Sequence, residues 1–163
     1  MDARAGAPDD FAGIFETAFA RLQILIEEAC AASEDWPAGV AAAIRASFGF
    51  AAADPAAAGA LTSEALAAGP DGFARHRRLI AYLAEGLAPG RDLRVEGSEL
   101  PSVTEQALAA GLASLVAERL DRDRIAELPG LAPEAIQFAL TPYVGVEEAK
   151  RVAAGWPGSQ PDR

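Results

Sequence analysis

The 163 residues contain a single cysteine and a single histidine, so the side chains that most often bind metals or attack substrates are nearly missing. Cys30 alone cannot close an intramolecular disulfide and gives no metal spacing, which fits a reducing compartment. Its simplest role is that of a small apolar residue on a helix. His76 has Phe73 three residues before it, so the Glu-x-x-His pairs of di-metal bundles cannot be assembled. A Cys30–His76 nucleophilic pair would lack a glycine-rich oxyanion loop, and the chain has neither a phosphate loop nor a dinucleotide fingerprint. No catalytic residue, metal or cofactor is assigned, and the chain reads as a binding protein rather than an enzyme.

Basic residues are also scarce. Lys and Arg number 14 against 24 Asp and Glu, and the resulting net charge of −10 opposes direct contact with nucleic acid or anionic membranes. Long apolar runs are missing too, because Arg45, Asp54 and Glu64 interrupt the Ala-rich middle. The amino terminus MDARAGAPDD is acidic and lacks the apolar stretch of a signal peptide, so a cytoplasmic protein is expected. There is no alternating run and little β-branching, which removes sheet architectures.

What remains is alanine, leucine and punctuation. Hydrophobic residues make up 51% of a chain long enough for one domain, which at this size buries roughly 70% of its unfolded surface. Asp9 or Asp10 caps a first helix running to about Ala32. Phe11, Phe15, Ala18, Leu22, Leu25 and Ala29 recur along it at spacings of three and four, and Ile14, Phe19 and Ile26 widen the stripe. A stripe that wide predicts a central helix. Asp35, Trp36 and Pro37 start a second helix, which reaches about Ala53. Asp54 and Pro55 open a third that stops at Gly69 and Pro70, and a fourth runs to Leu87. A loop through Glu99 precedes a fifth helix from Pro101 to about Leu120. The segment DRDRIAELPGL shows no period, and Pro133 then opens a helix ending near Pro142 to Gly145. A short helix, VEEAKRVAA, follows. The expected organisation is a disordered lead over residues 1–8, one domain over 9–154 and a disordered tail over 155–163.

Two blocks carry a family likeness. They are DWPAGVAAAIRASFGFAAADPAAAGALTSEALAAGP and LPSVTEQALAAGLASLVAERL, followed by LAPEAIQFALTPYVGVEEAKR. In order and spacing they resemble the carboxy-terminal regulatory domain of TetR-type transcriptional regulators across nearly the whole chain. The resemblance implies an all-α bundle of six to seven helices, a homodimer built on the last two long helices, and an effector pocket between the helices before them. Members of that family begin with a helix-turn-helix domain of about fifty residues, and nothing before Phe11 matches it. DNA is therefore expected as a partner only through a domain not contained in this chain.

The residues suggest where each implied feature would lie. His76 shares a stripe with Phe73, Ile80, Leu83 and Leu87; it is either a core histidine satisfied by a carbonyl or by Glu64, or a ligand contact. Arg75 and Arg78 lie off that stripe and read as a solvated face. The aromatics ordinarily fill a core, and the family likeness raises some of them to pocket candidates. The expected lining for a small apolar or aromatic effector is drawn from Phe15, Phe19, Leu22, Phe48, His76, Ile80, Tyr82 and Thr104. For the dimer, Ala110, Ala113, Ser114 and Ala117 form a smooth strip on the fifth helix, and Ile136, Ala139, Leu140 and Tyr143 are the matching set on the next. The leading functional reading is an effector-sensing, dimerising domain of a transcriptional repressor. The alternatives are an effector-free protein that pairs with full-length relatives, with a fully packed core, and a small enzyme using His76 or Cys30.

Overall fold

Alanine-rich segments fold as helices, and their ends fall where the sequence supplies a cap or a breaker. The computed structural model describes residues 7–94 and 99–155. Among these residues the chain is all-helical, with α1 (Ala7–Ala31), α2 (Trp36–Ala53), α3 (Pro55–Leu61), α4 (Ser63–Ala67), α5 (Gly69–Leu87), α6 (Thr104–Asp121), α7 (Leu128–Val144) and α8 (Val146–Ala153). Tight 3-10 turns at Ala88–Leu93 and Ile125–Glu127 flank α6. No described helix is long and apolar enough to cross a membrane. The expected lead over residues 1–8 and the tail over 155–163 lie almost wholly outside the described residues.

The capping signals at Asp35 and Asp54 act where the sequence places them, whereas α1 starts at Ala7, so Asp9 and Asp10, expected to cap the first helix, lie inside its first turn. The Asp35 carboxylate accepts from the Ala38 backbone N–H at 2.9 Å and holds Pro37 in the first turn of α2. Asp54 ends α2 and begins α3: its N–H donates to the Phe50 carbonyl while its carboxylate accepts from Ala57 N–H at 3.1 Å. The Arg21 guanidinium, 2.7 Å away, holds the Asp54 carboxyl below the usual carboxylate range, with the Ala57 hydrogen bond adding to it. Gly145, at φ +83°, ends α7 in a conformation that side-chain-bearing residues avoid.

Three other boundaries also differ from the sequence reading. The expected third helix is two, because the chain kinks at Thr62, whose buried hydroxyl donates back to the Ala58 carbonyl at 2.7 Å. The helix expected to open at Pro133 starts instead at Leu128 and runs through both Pro133 and Pro142. Proline's missing N–H costs little at Pro133, because the carbonyl it would have bonded belongs to exposed Pro129 and can be hydrated. The segment after Pro89, read as loop, winds into a 3-10 turn.

Two large apolar clusters form most of the core, and a small third one joins Ile80 of α5 to Ala109 and Ala113 of α6. In one, Val40, Ile44 and Phe48 of α2 pack with Leu128, Ile136 and Leu140 of α7. The last three are fully excluded from solvent, and each such side chain contributes about 1.5–3 kcal/mol by burial. In the other, Phe15, Phe19 and Leu22 of α1 meet Phe50, Leu61 and Leu79. The central helices are therefore α2 and α7. The centre was expected at α1, which buries one side and leaves Ile14, Ile24 and Leu25 exposed.

Candidate functional site

Where the two large clusters meet, they fail to close. A cavity of about 330 Å3 remains between α1, α2, α3, α5 and α6. Leu22, Phe50, Leu61 and Leu79 of one cluster face Val40, Ile44 and Phe48 of the other across it, and α6 contributes Leu112 and Val116. Alanines at 43, 51, 58 and 113 keep the walls thin, which is why the space survives. Glu27, Cys30, Glu85 and Gly86 also line it, and all four are exposed, so its mouth lies at the surface. The volume falls at the lower end of the range of about 300–1,000 Å3 typical of small-molecule sites.

Its polar groups are few. The Ser47 hydroxyl donates to Ala43 O at 2.7 Å and the Thr62 hydroxyl to Ala58 O, so both are satisfied within their own chain segment. Cys30 Sγ lies 3.7 Å from Gly39 O, and partial burial raises the pKa of its thiol. The Tyr82 ring packs edge-on against Phe19, with centroids 5.6 Å apart, while its hydroxyl has no hydrogen-bond partner among the described residues. Desolvation first, then the nearby Glu27 carboxylate, raises the Tyr82 pKa, keeping the phenol protonated.

Of the residues expected to line a pocket, the structure brings Leu22, Phe48 and Tyr82 to this cavity. Phe15, Phe19 and Ile80 are buried in packed core beside it. His76 faces a separate, more polar groove with Thr62, Ser114, Glu118 and Arg122, and its Nδ1–H donates to the Leu61 carbonyl at 3.1 Å. Thr104 is placed by the start of α6, where its hydroxyl donates to Pro101 O at 2.8 Å. The sequence reading overlooked Ile44, Leu79 and Val116. Arg78 pairs with Glu16 and lies 5.0 Å over the Phe19 ring, so it is a packed cation rather than a free one.

The expected dimer residues need correction. Ala113, Ile136, Ala139, Leu140 and Tyr143 are buried inside the protomer, where they cannot also face a second copy. Ala110 and Ala117 are half-buried, and Ser114 alone of the set is exposed. The outward face of α6 and α7 is instead formed by Ala107, Ser114, Glu134 and Phe138; the Phe138 ring is half exposed and lies over Gly111.

A polar cluster runs from the cavity mouth to the buried sides of α6 and α7. Arg91, from the 3-10 turn, donates through Nε and Nη2 to both oxygens of Glu105 on α6, each at 2.7 Å, through Nη1 to the Leu100 carbonyl and through Nη2 to the Pro101 carbonyl. The Tyr143 hydroxyl of α7 donates to Glu105 Oε1 at 3.1 Å. Arg91 holds the buried Glu105 carboxyl below its usual range, against the opposing effect of burial; burial and the carboxylate together push the Tyr143 phenol far up. Trp36 stacks edge-on against Tyr143, with centroids 5.2 Å apart, and donates its indole N–H to the carbonyl of Gly86, at the cavity mouth, at 3.0 Å. Among the described residues no cluster of His, Cys, Asp or Glu could hold a metal. The chain matches no protein-family model, no curated protein and no solved structure.

Proposed function

We propose that this chain is the effector-sensing and dimerising regulatory domain of a TetR-like transcriptional regulator. In it a small, mostly apolar molecule shifts the balance between two helix arrangements. The observation that carries this reading is the cavity left between the two core clusters. A protein acting only by pairing would be expected to pack that space, since an unfilled apolar volume costs stability. The route from cavity to assembly runs through Gly86, Trp36, Tyr143 and Glu105: a ligand that displaces the carboxy-terminal end of α5 moves the group to which the Trp36 indole donates, and with it the seat of α6 and α7.

The second copy docks on the outward face of α6 and α7, where the small exposed residues Ala107 and Ser114 allow close helix approach and Phe138, lying over Gly111, supplies a central aromatic. A twofold axis there makes the same patch meet itself, and burial should exceed about 1,000 Å2. On this reading operator binding belongs to a helix-turn-helix domain, and residues 1–163 by themselves should bind no operator. Light scattering at tens of micromolar, combined with melting curves taken with and without apolar ligands, tests the reading. A dimer that apolar ligands stabilise, and that Ser114→Arg converts to monomer while Arg77→Ala does not, is expected. A monomeric wild type whose melting is unmoved by any ligand would overturn it.

A further inference from the structure

The cavity has a charge preference as well as a volume. None of its lining residues is Lys, Arg or His. Of the cations on α1 and α5, Arg21 pairs with Asp54 and Arg75 and Arg78 pair with Glu16, and Arg77 is exposed and does not line the cavity. The lining does include two carboxylates, Glu27 on α1 and Glu85 on α5, and neither has an ion-pair partner among the described residues. Because Ser47 and Thr62 spend their hydroxyls on helix carbonyls, the groups left to meet a ligand are these two carboxylates and the Tyr82 hydroxyl.

We propose that the cavity takes an organic monocation, with an apolar or aromatic body seated among Leu22, Ile44, Phe48 and Leu79 and an ammonium group at the Glu27 and Glu85 carboxylates beside the Tyr82 hydroxyl. An anionic molecule of the same shape is rejected twice, by the two unpaired carboxylates and by the absence of any donor cation. A neutral alcohol gains the apolar contacts and the Tyr82 hydrogen bond but not the charge attraction. Protonated Tyr82 and a neutral Cys30 thiol add no further negative charge inside the cavity. This inference rests on the reading of the cavity as an effector site and names the chemistry that the site selects.

The test uses three probes that share one chain, namely decylammonium, 1-decanol and decanoate, each titrated at pH 7 below its micelle-forming concentration, with binding read by the shift in melting temperature. Decylammonium should bind about tenfold more tightly than decanol, the advantage expected of two partly exposed charge contacts, and decanoate should bind most weakly. In Glu27→Gln/Glu85→Gln the ammonium advantage should fall to within about twofold. In Glu34→Gln/Glu134→Gln, which removes the same net charge from exposed sites away from the cavity, it should persist. Decanoate or decanol binding as tightly as decylammonium, or an ammonium preference that survives Glu27→Gln/Glu85→Gln, would overturn the charge selection while leaving the cavity reading intact. If none of the three binds, the cavity reading itself fails and this inference fails with it.

Discussion

Replacing Gly90 with alanine adds one methyl group at the most crowded point of the junction between α2, α7 and the 3-10 turn. An ideal Cβ there would sit 2.3 Å from Trp36 Cη2 and 2.7 Å from Cγ and Cδ1 of Tyr143. Carbon atoms rest about 3.5–4.0 Å apart, so both rings would have to retreat by roughly 1 Å. Neither ring can do so freely. Trp36 is anchored by its hydrogen bond to Gly86 O, and Tyr143 by its hydrogen bond to Glu105. Overpacking of this kind costs about 1–3 kcal/mol, and the two anchored rings place Gly90→Ala near the upper end. Reduced freedom of the unfolded chain offsets about 0.4–1 kcal/mol of that. A net loss of about 2 kcal/mol should lower the melting temperature by about 4–8 °C in a domain of this size, as read by circular dichroism or calorimetry. Gly49, on the exposed side of α2, has nothing within 4 Å of an added Cβ, so Gly49→Ala should raise stability by about 0.5–1 kcal/mol through helix propensity. The reasoning is refuted if Gly90→Ala melts at or above the wild-type temperature, or if the two variants shift it in the same direction.

Acid should destabilise the protein in a defined window: the Glu105 and Asp54 carboxyls are held low in the fold, so the unfolded chain binds their protons first. Their contribution is complete above roughly pH 5 and is lost as pH falls through the folded values, so Glu105→Gln should flatten the fall of melting temperature with pH below that point. Phe15→Ala should cost about 3–5 kcal/mol in denaturant unfolding because Phe15 is 0% exposed, whereas Ile24→Ala, at a position 55% exposed, should stay within about 0.5 kcal/mol. Burial raises the Cys30 pKa, so alkylation at neutral pH should be slower than for a free thiol. Because Cys30 lines the cavity mouth, a bound ligand should slow it further, and an unchanged labelling rate at saturation would place the ligand elsewhere.

Much of the fold was legible because its signals are local. As caps and stops, Asp35, Asp54 and Gly145 act through atoms within four residues of themselves, and a sequence displays such relations directly. The site was less legible because its geometry is set by which faces meet. Leu22, Phe48 and Tyr82 were found, but His76 and Ile80, on the same helix as Tyr82, turn away from the cavity by a fraction of a turn. On α7 the periodic residues Ile136, Ala139, Leu140 and Tyr143 mark the side sealed against α2, so the free face was the one holding Phe138. The Arg91–Glu105–Tyr143 cluster joins residues 14 and 38 apart in the chain. One signal was available: Glu105 falls on the same helical face as Leu108, Ala109 and Leu112, and a carboxylate on an apolar face calls for a partner.

Fluorescence titration with N-phenyl-1-naphthylamine, a neutral probe that brightens in apolar surroundings, tests most directly whether the space between the two large core clusters admits a small apolar molecule. The wild type should give saturable enhancement with one probe per chain. Ala43→Phe, which pushes a ring into the cavity from α2, should abolish or greatly weaken it, and Ala53→Phe, on an exposed position of the same helix outside the cavity, should leave it unchanged. No enhancement with the wild type, or enhancement that Ala43→Phe leaves untouched, would contradict the account.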